Sequence, residues 1–166
     1  MIDTIKRWFA DRLQKRLAAG VTLSAACARA QRGAAYLDEV DPGWHTRLDL
    51  STLELADGAG CVLGQLHGDY RFGLGRARVL DFSSAPLASL SPVDLGFQSD
   101  LRIEGRLAEQ DYAFLTVAWQ QEVRNRTRAD SRSESVKIAE TAGGLTNSGP
   151  LRGSAAALRQ RVRPTH

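Results

Sequence analysis

The chain has 166 residues, 43% hydrophobic and 25% charged, a globular balance that excludes wholesale disorder and accommodates one domain with a core of about 100 residues. No stretch can span a bilayer, because Lys6, Arg7, Asp11, Arg12, Lys15 and Arg16 interrupt the first apolar pattern and no later one is long enough. The net charge of +3 is unevenly distributed: residues 1–19 carry five basic and two acidic side chains, residues 20–124 nine and fourteen, and residues 125–166 eight and three. Such an acidic middle between two basic arms lets the arms be attracted to the protein's own middle, to nucleic acid or to an anionic membrane.

In chain order, residues 2–19 place Ile2, Ile5, Trp8, Phe9, Leu13 and Leu17 among basic residues, the pattern of an amphipathic helix that Gly20 ends. Its apolar face is expected to dock on the acidic core or to pair with its copy in a homodimer, with a partner or membrane surface as the alternative. A second helix starts near Thr22, with Leu23, Cys27, Ala30, Ala34 and Leu37 as its seam and Tyr36 and Val40 beside it. Pro42 disfavours helical geometry at Asp41, and Gly43 turns the chain. Ser51 and Glu54 have capping-box spacing, and Asp57-Gly58-Ala59-Gly60 is a loop into a third helix from Cys61, with Val62, Leu63, Leu66, Tyr70 and Leu74 inward. Gly60, Gly64 and Gly68 recur every four residues, and a glycine stripe of this kind offsets its helical cost by admitting a large ring, expected to be Trp44.

From Gly73 to Ser91 the periodicity fades into a linker, after which Ser91-Pro92-Val93-Asp94 forms an N-cap, a proline at the first helical position and an acid in the first turn. Leu101-Arg102-Ile103 is compatible with extended chain. A strong helix runs from about Leu107 to Arg126, with Tyr112, Leu115, Trp119 and Val123 on one face. Residues 127–150 are rich in Ser, Thr, Gly, Arg and Asn and form a flexible tail, followed by helix-compatible Ser154 to Arg163. The fold class is therefore mainly α: a small helical domain with an N-terminal amphipathic helix and a flexible C-terminal tail, divided as 1–20, 21–126 and 127–166. The core is expected to contain Leu37, Trp44, Leu63, Leu66, Tyr70, Leu115 and Trp119.

No catalytic or metal-binding signature accompanies these elements. His45, His67 and His166 have no second histidine at ligating spacing, and Cys61 and His67 fall on different helix faces, so neither a metal nor another cofactor is expected. There is no nucleophile elbow or cysteine-enzyme motif, and Gly73-Leu74-Gly75-Arg76 lacks the third glycine and preceding strand of a dinucleotide fingerprint. The chain is not expected to be an enzyme. No signal-peptide pattern implies an oxidising compartment, so the location expected is cytoplasmic and Cys27 and Cys61 are expected to be buried thiols.

Two charged groups are candidates for binding. Asp38, Glu39 and Asp41 gather at a helix C-terminus, where negative charge is unfavourable and invites a cation, supplied internally by Arg47 or Arg32 or externally by a partner. Arg126 and Arg128, with Arg159, Arg161 and Arg163, could hold nucleic acid through its backbone without sequence specificity, since no aromatic is interleaved. Ile5, Trp8 and Phe9 complete the candidate partner-binding set.

The blocks Arg32-Gly33-Ala34-Ala35-Tyr36-Leu37-Asp38-Glu39, Pro42-Gly43-Trp44, Leu48-Asp49-Leu50, Leu53-Glu54-Leu55 and Cys61-Val62-Leu63-Gly64-Gln65-Leu66, with the later Leu95-Gly96-Phe97 and the Tyr112 to Trp119 helix, carry a resemblance. They resemble small uncharacterised proteins of actinobacteria and their phages, over roughly residues 24–124. Some members of that group have another cysteine just before the Cys61 position, which Asp57-Gly58-Ala59-Gly60 does not supply. The resemblance implies a phage or mobile-element origin and no particular activity. The function expected is a non-enzymatic interaction module that binds a host or viral protein, in one form inhibiting a defence complex. A nucleic-acid-associated protein acting through the basic ends is the alternative, and an enzyme of unrecognised type the third reading.

Overall fold

The computed structural model describes residues 2–79 and 91–143. Among them, helices are the only regular elements: α1 (Ile2–Gly20), α2 (Leu23–Val40), a 3-10 turn at Trp44–Arg47, α3 (Val62–His67), α4 (Tyr70–Arg76) and α5 (Arg106–Gly143). The protein is mainly helical, as its periodicities imply. It divides into two compact units, residues 1–130 and 131–166. The linker over 80–90 and the arginines at 159, 161 and 163 lie outside the described residues.

Local chemistry sets the element ends. The Thr22 hydroxyl accepts the Ala25 N–H at 3.2 Å and starts α2, and the Asp41 N–H closes it on the Leu37 carbonyl at 2.9 Å. Gly43, at φ +80°, then turns the chain into Trp44. Cys61 caps α3 through sulfur, its Sγ accepting the Gly64 N–H at 3.2 Å. The helix expected to run on from Cys61 through Leu74 is two helices. Gly68 takes a left-handed φ of +88° and its N–H returns to the Gly64 carbonyl, while the Asp69 carboxylate accepts the Arg71 N–H at 2.8 Å and begins α4. The linker expected from Gly73 is correspondingly delayed, since α4 runs to Arg76 with Gly73 and Leu74 buried.

Three other expectations change. Ser51 and Glu54 cap no helix; Ser51 hydrogen-bonds to Asp49, and the Glu54 N–H reaches the Gly60 carbonyl in a loop. Residues 101–103 form a turn on the Asp100 carbonyl. The seam of α2 is Ala26, Ala30, Gly33, Ala34 and Leu37, while Leu23 and Cys27 face solvent. Ala30, Ala34 and Leu37 are buried as expected, and the seam differs in taking Ala26 and Gly33 in place of Leu23 and Cys27, turning the smallest side chains inward where the turn at residues 92–97 presses on α2. That turn forms as expected, with Ser91 Oγ accepting the Asp94 N–H at 3.3 Å.

The core assembles on α5. Leu115, Ala118, Trp119 and Val123 are buried against Leu37, Trp44, Leu63 and Phe97, with Leu66, Tyr70 and Tyr112 packed at the margin. Trp119 lies edge-on to Trp44 at 5.6 Å, stacks on Phe97 at 5.1 Å and donates its indole N–H to the Gly96 carbonyl at 2.6 Å. Trp44 therefore packs on Trp119 and not on the glycine stripe. A Cβ on Gly64 would meet the carbonyl oxygens of Gly58 and Ala59 at 2.2 and 2.6 Å, so this glycine admits a backbone loop instead of a ring. The glycine that does admit a ring is Gly33, where a Cβ would lie 2.8 Å from Trp119 and 2.1 Å from the Leu95 carbonyl oxygen.

Beyond Arg126, where a tail was expected, α5 continues to Gly143. Neither proline nor glycine interrupts residues 127–142. Thr127 and Ser135 donate their hydroxyls to the carbonyls of Val123 and Ser131, at 3.0 and 2.8 Å, satisfying themselves within the helix instead of ending it. In the unit that begins at Ser131, Val136 and Ile138 are exposed.

The glycine contacts make a graded prediction. Gly33→Ala and Gly64→Leu should each lower stability by about 1–3 kcal/mol or more through overpacking against backbone, whereas Gly20→Ala, with nothing within 4 Å of its Cβ, should be nearly neutral. Urea midpoints of the three variants provide the check; a neutral Gly33→Ala would contradict the packing described.

Candidate interaction site

The apolar face of α1 stands out from the packed body. Ile5, Trp8, Phe9 and Leu13, spaced to share one helix face, are between 43% and 62% exposed, so the docking on the protein's own core expected for them does not occur. The helix meets the body only farther along: Leu17 is half-buried, and the Gln14 amide donates to the Arg102 carbonyl at 3.2 Å. Trp8 and Phe9 are edge-to-face at 4.9 Å, and the Arg12 guanidinium lies 5.3 Å from the centre of the Trp8 ring. Together they form an aromatic patch inside a cationic border, which is costly to leave in water.

The acidic cluster after α2 is largely satisfied internally. Asp38 accepts three hydrogen bonds from Arg126, at 2.7 to 3.1 Å, and the Trp44 indole N–H at 2.8 Å. Arg126 also binds Glu122 at 2.6 Å and lies 5.3 Å from the centre of the Trp44 ring. Asp41 pairs with Arg47, one of the two arginines expected to serve the cluster; the other, Arg32, donates to the Asp94 carbonyl instead. Glu39 and Arg128 remain exposed. Thus Arg126, placed by sequence among nucleic-acid contacts, ties α5 to α2, and Asp38 and Asp41 are answered by the chain's own cations.

One pair was not anticipated from the sequence. Arg29 and Asp111, 13% and 2% exposed, form a buried ion pair between α2 and α5. The available signal was a carboxylate at position 111, one turn before Leu115 on an otherwise apolar face. Breaking such a pair leaves a buried charge and costs about 3–5 kcal/mol.

A cleft of about 490 Å³ holds His67 with Arg47 and Arg76, and burial keeps the His67 imidazole below its usual value, hence neutral near pH 7. An apolar groove of about 350 Å³ runs between residues 54–56 and the start of α5, lined by Ala56, Ala108, Tyr112 and Ala113 with Glu54 and Glu109 at its rim. Among the described residues no three His, Cys, Asp or Glu side chains converge as metal ligands, and no helix is long and apolar enough to cross a membrane. Comparison with protein-family models, with curated proteins and with solved structures returns no match to this chain.

The Asp38 network has a pH signature. Chiefly through the hydrogen bond from Arg126, the Asp38 carboxyl is held below its ordinary value of 3.8. A folded-state value below the unfolded one contributes stability above the unfolded value that disappears as pH falls through the folded one. Lowering the pH from about 6 to about 3 should therefore destabilise the native chain more than the Asp38→Asn variant; equal losses by thermal melts would contradict this.

The cysteines supply a second check. Cys27 is exposed, contrary to expectation, while Cys61 is buried and its thiol is pushed up by that burial, which suppresses the thiolate. One of the two thiols should react promptly with a chromogenic disulfide reagent in the native protein, and the second only on unfolding. Prompt reaction of both would contradict the cap formed by Cys61.

Proposed function

We propose that the chain is a non-enzymatic interaction module of phage or mobile-element origin that acts by binding a host or viral protein, with α1 as its contact element. The observation that supports this reading is the exposure of Ile5, Trp8, Phe9 and Leu13 on a helix whose following residues are fixed to a packed body. A helix of this kind fits an apolar groove on a partner, with Lys6, Arg7, Arg12, Lys15 and Arg16 favouring an acidic rim. The origin rests on the resemblance in residues 24–124, and inhibition of a defence complex is one form the binding could take.

Because the stripe is solvent-exposed, the double variant Trp8→Ser/Phe9→Ser should melt within a few degrees of the native chain while losing capture of its partner from a bacterial lysate. Unchanged capture by a folded variant would remove α1 from the function.

A further inference from the structure

Resting on α1 as the contact element, we infer that in the free protein α1 seats its Trp8 face in the groove between Glu54 and Glu109 of a second copy of this chain. The groove and the helix are complementary in polarity and in charge. It is lined by the small side chains of Ala56, Ala108 and Ala113 beside Tyr112 and has a volume of about 350 Å³, room for an aromatic ring. Val117, 51% exposed and one turn after Ala113 on the same face of α5, extends the apolar strip beyond the groove. Neither Glu54 nor Glu109 has an ion-pair partner among the described residues, and neither does any of the five cations of α1.

The same charges disfavour pairing α1 with α1, which would oppose five cations per helix to two acids. Seating the helix in the groove brings each set of unpaired charges to its opposite and removes the aromatic patch from water. Reciprocal exchange between two copies closes a dimer, whose contact is the one a partner protein must displace.

Sedimentation combined with fluorescence tests this. Trp44 and Trp119 are fully buried, so a concentration-dependent change in emission reports Trp8. The full-length native chain should sediment as a dimer that added salt weakens, with emission shifting to the blue as the dimer forms. Trp8→Ser removes the knob, and Glu54→Lys/Glu109→Lys reverses the rim; each alone should be monomeric, and a mixture of the two should regain dimer through the one intact contact. A rim variant that stays dimeric, a mixture that stays monomeric, or a native monomer whose Trp8 shifts only on adding phosphatidylglycerol vesicles would overturn the proposal. If the native chain is monomeric yet Trp8→Ser/Phe9→Ser still abolishes partner capture, the groove contact fails and the proposed function stands.

Discussion

Insertion of the Trp119 indole between α2, the turn at residues 92–97 and Trp44 is the contact on which the rest of the structure depends. The ring needs a glycine at residue 33, because any side chain there would meet both the indole and the Leu95 carbonyl oxygen. The turn supplies a carbonyl for the indole N–H and a stacked Phe97 for its face. Gly96, at φ +67°, brings that turn against the backbone of Arg29 and Ala30 so closely that a Cβ would lie 2.9 Å from the Ala30 nitrogen. A large ring is thus accommodated by two glycines that contribute no apolar area themselves.

Around this centre, charged pairs act as fasteners between the same helices. Arg29 with Asp111 and Asp38 with Arg126 both join α2 to α5, on either side of Trp119 in sequence. The buried pair is sensitive to loss of one member, whereas the more exposed pair is screened and contributes mainly through its hydrogen bonds to Asp38 and its position over Trp44. Beside this body the aromatic face of α1, from Ile5 to Leu13, stays exposed.

Much of this was legible in the residues. The 3.6-residue period of α5 identified Leu115, Trp119 and Val123 as a buried face, and Thr22, Pro42 and Gly43 marked the limits of α2, because those signals are local. The pairing of elements was not, since nothing in the order of residues says that Gly33, and not Gly64, receives a tryptophan ring. The face of α2 was legible at Ala30, Ala34 and Leu37 but not at its start, where Ala26 is buried and Leu23 and Cys27 are exposed, nor at Gly33, which the close approach of the 92–97 turn brings inside. Gly68 followed by Asp69 was the local signal for a break between α3 and α4, obscured by an apolar pattern that continues across it. For the candidate interaction site, the stripe of α1 was readable from spacing, but its exposure and the apolar groove with its acidic rim, which joins residues 54–56 to α5, exist only in three dimensions.

Amide hydrogen exchange, followed peptide by peptide at low and high protein concentration, tests most directly whether a locked body presents α1 as a separable contact element. Amides around Ala30 to Leu37 and Leu115 to Val123 should be the slowest to exchange at both concentrations, while those of residues 5–13 should exchange rapidly at low concentration and become protected as concentration rises. Protection of residues 5–13 equal to that of the α2 and α5 segments at every concentration would contradict this, because α1 would then be part of the folded core.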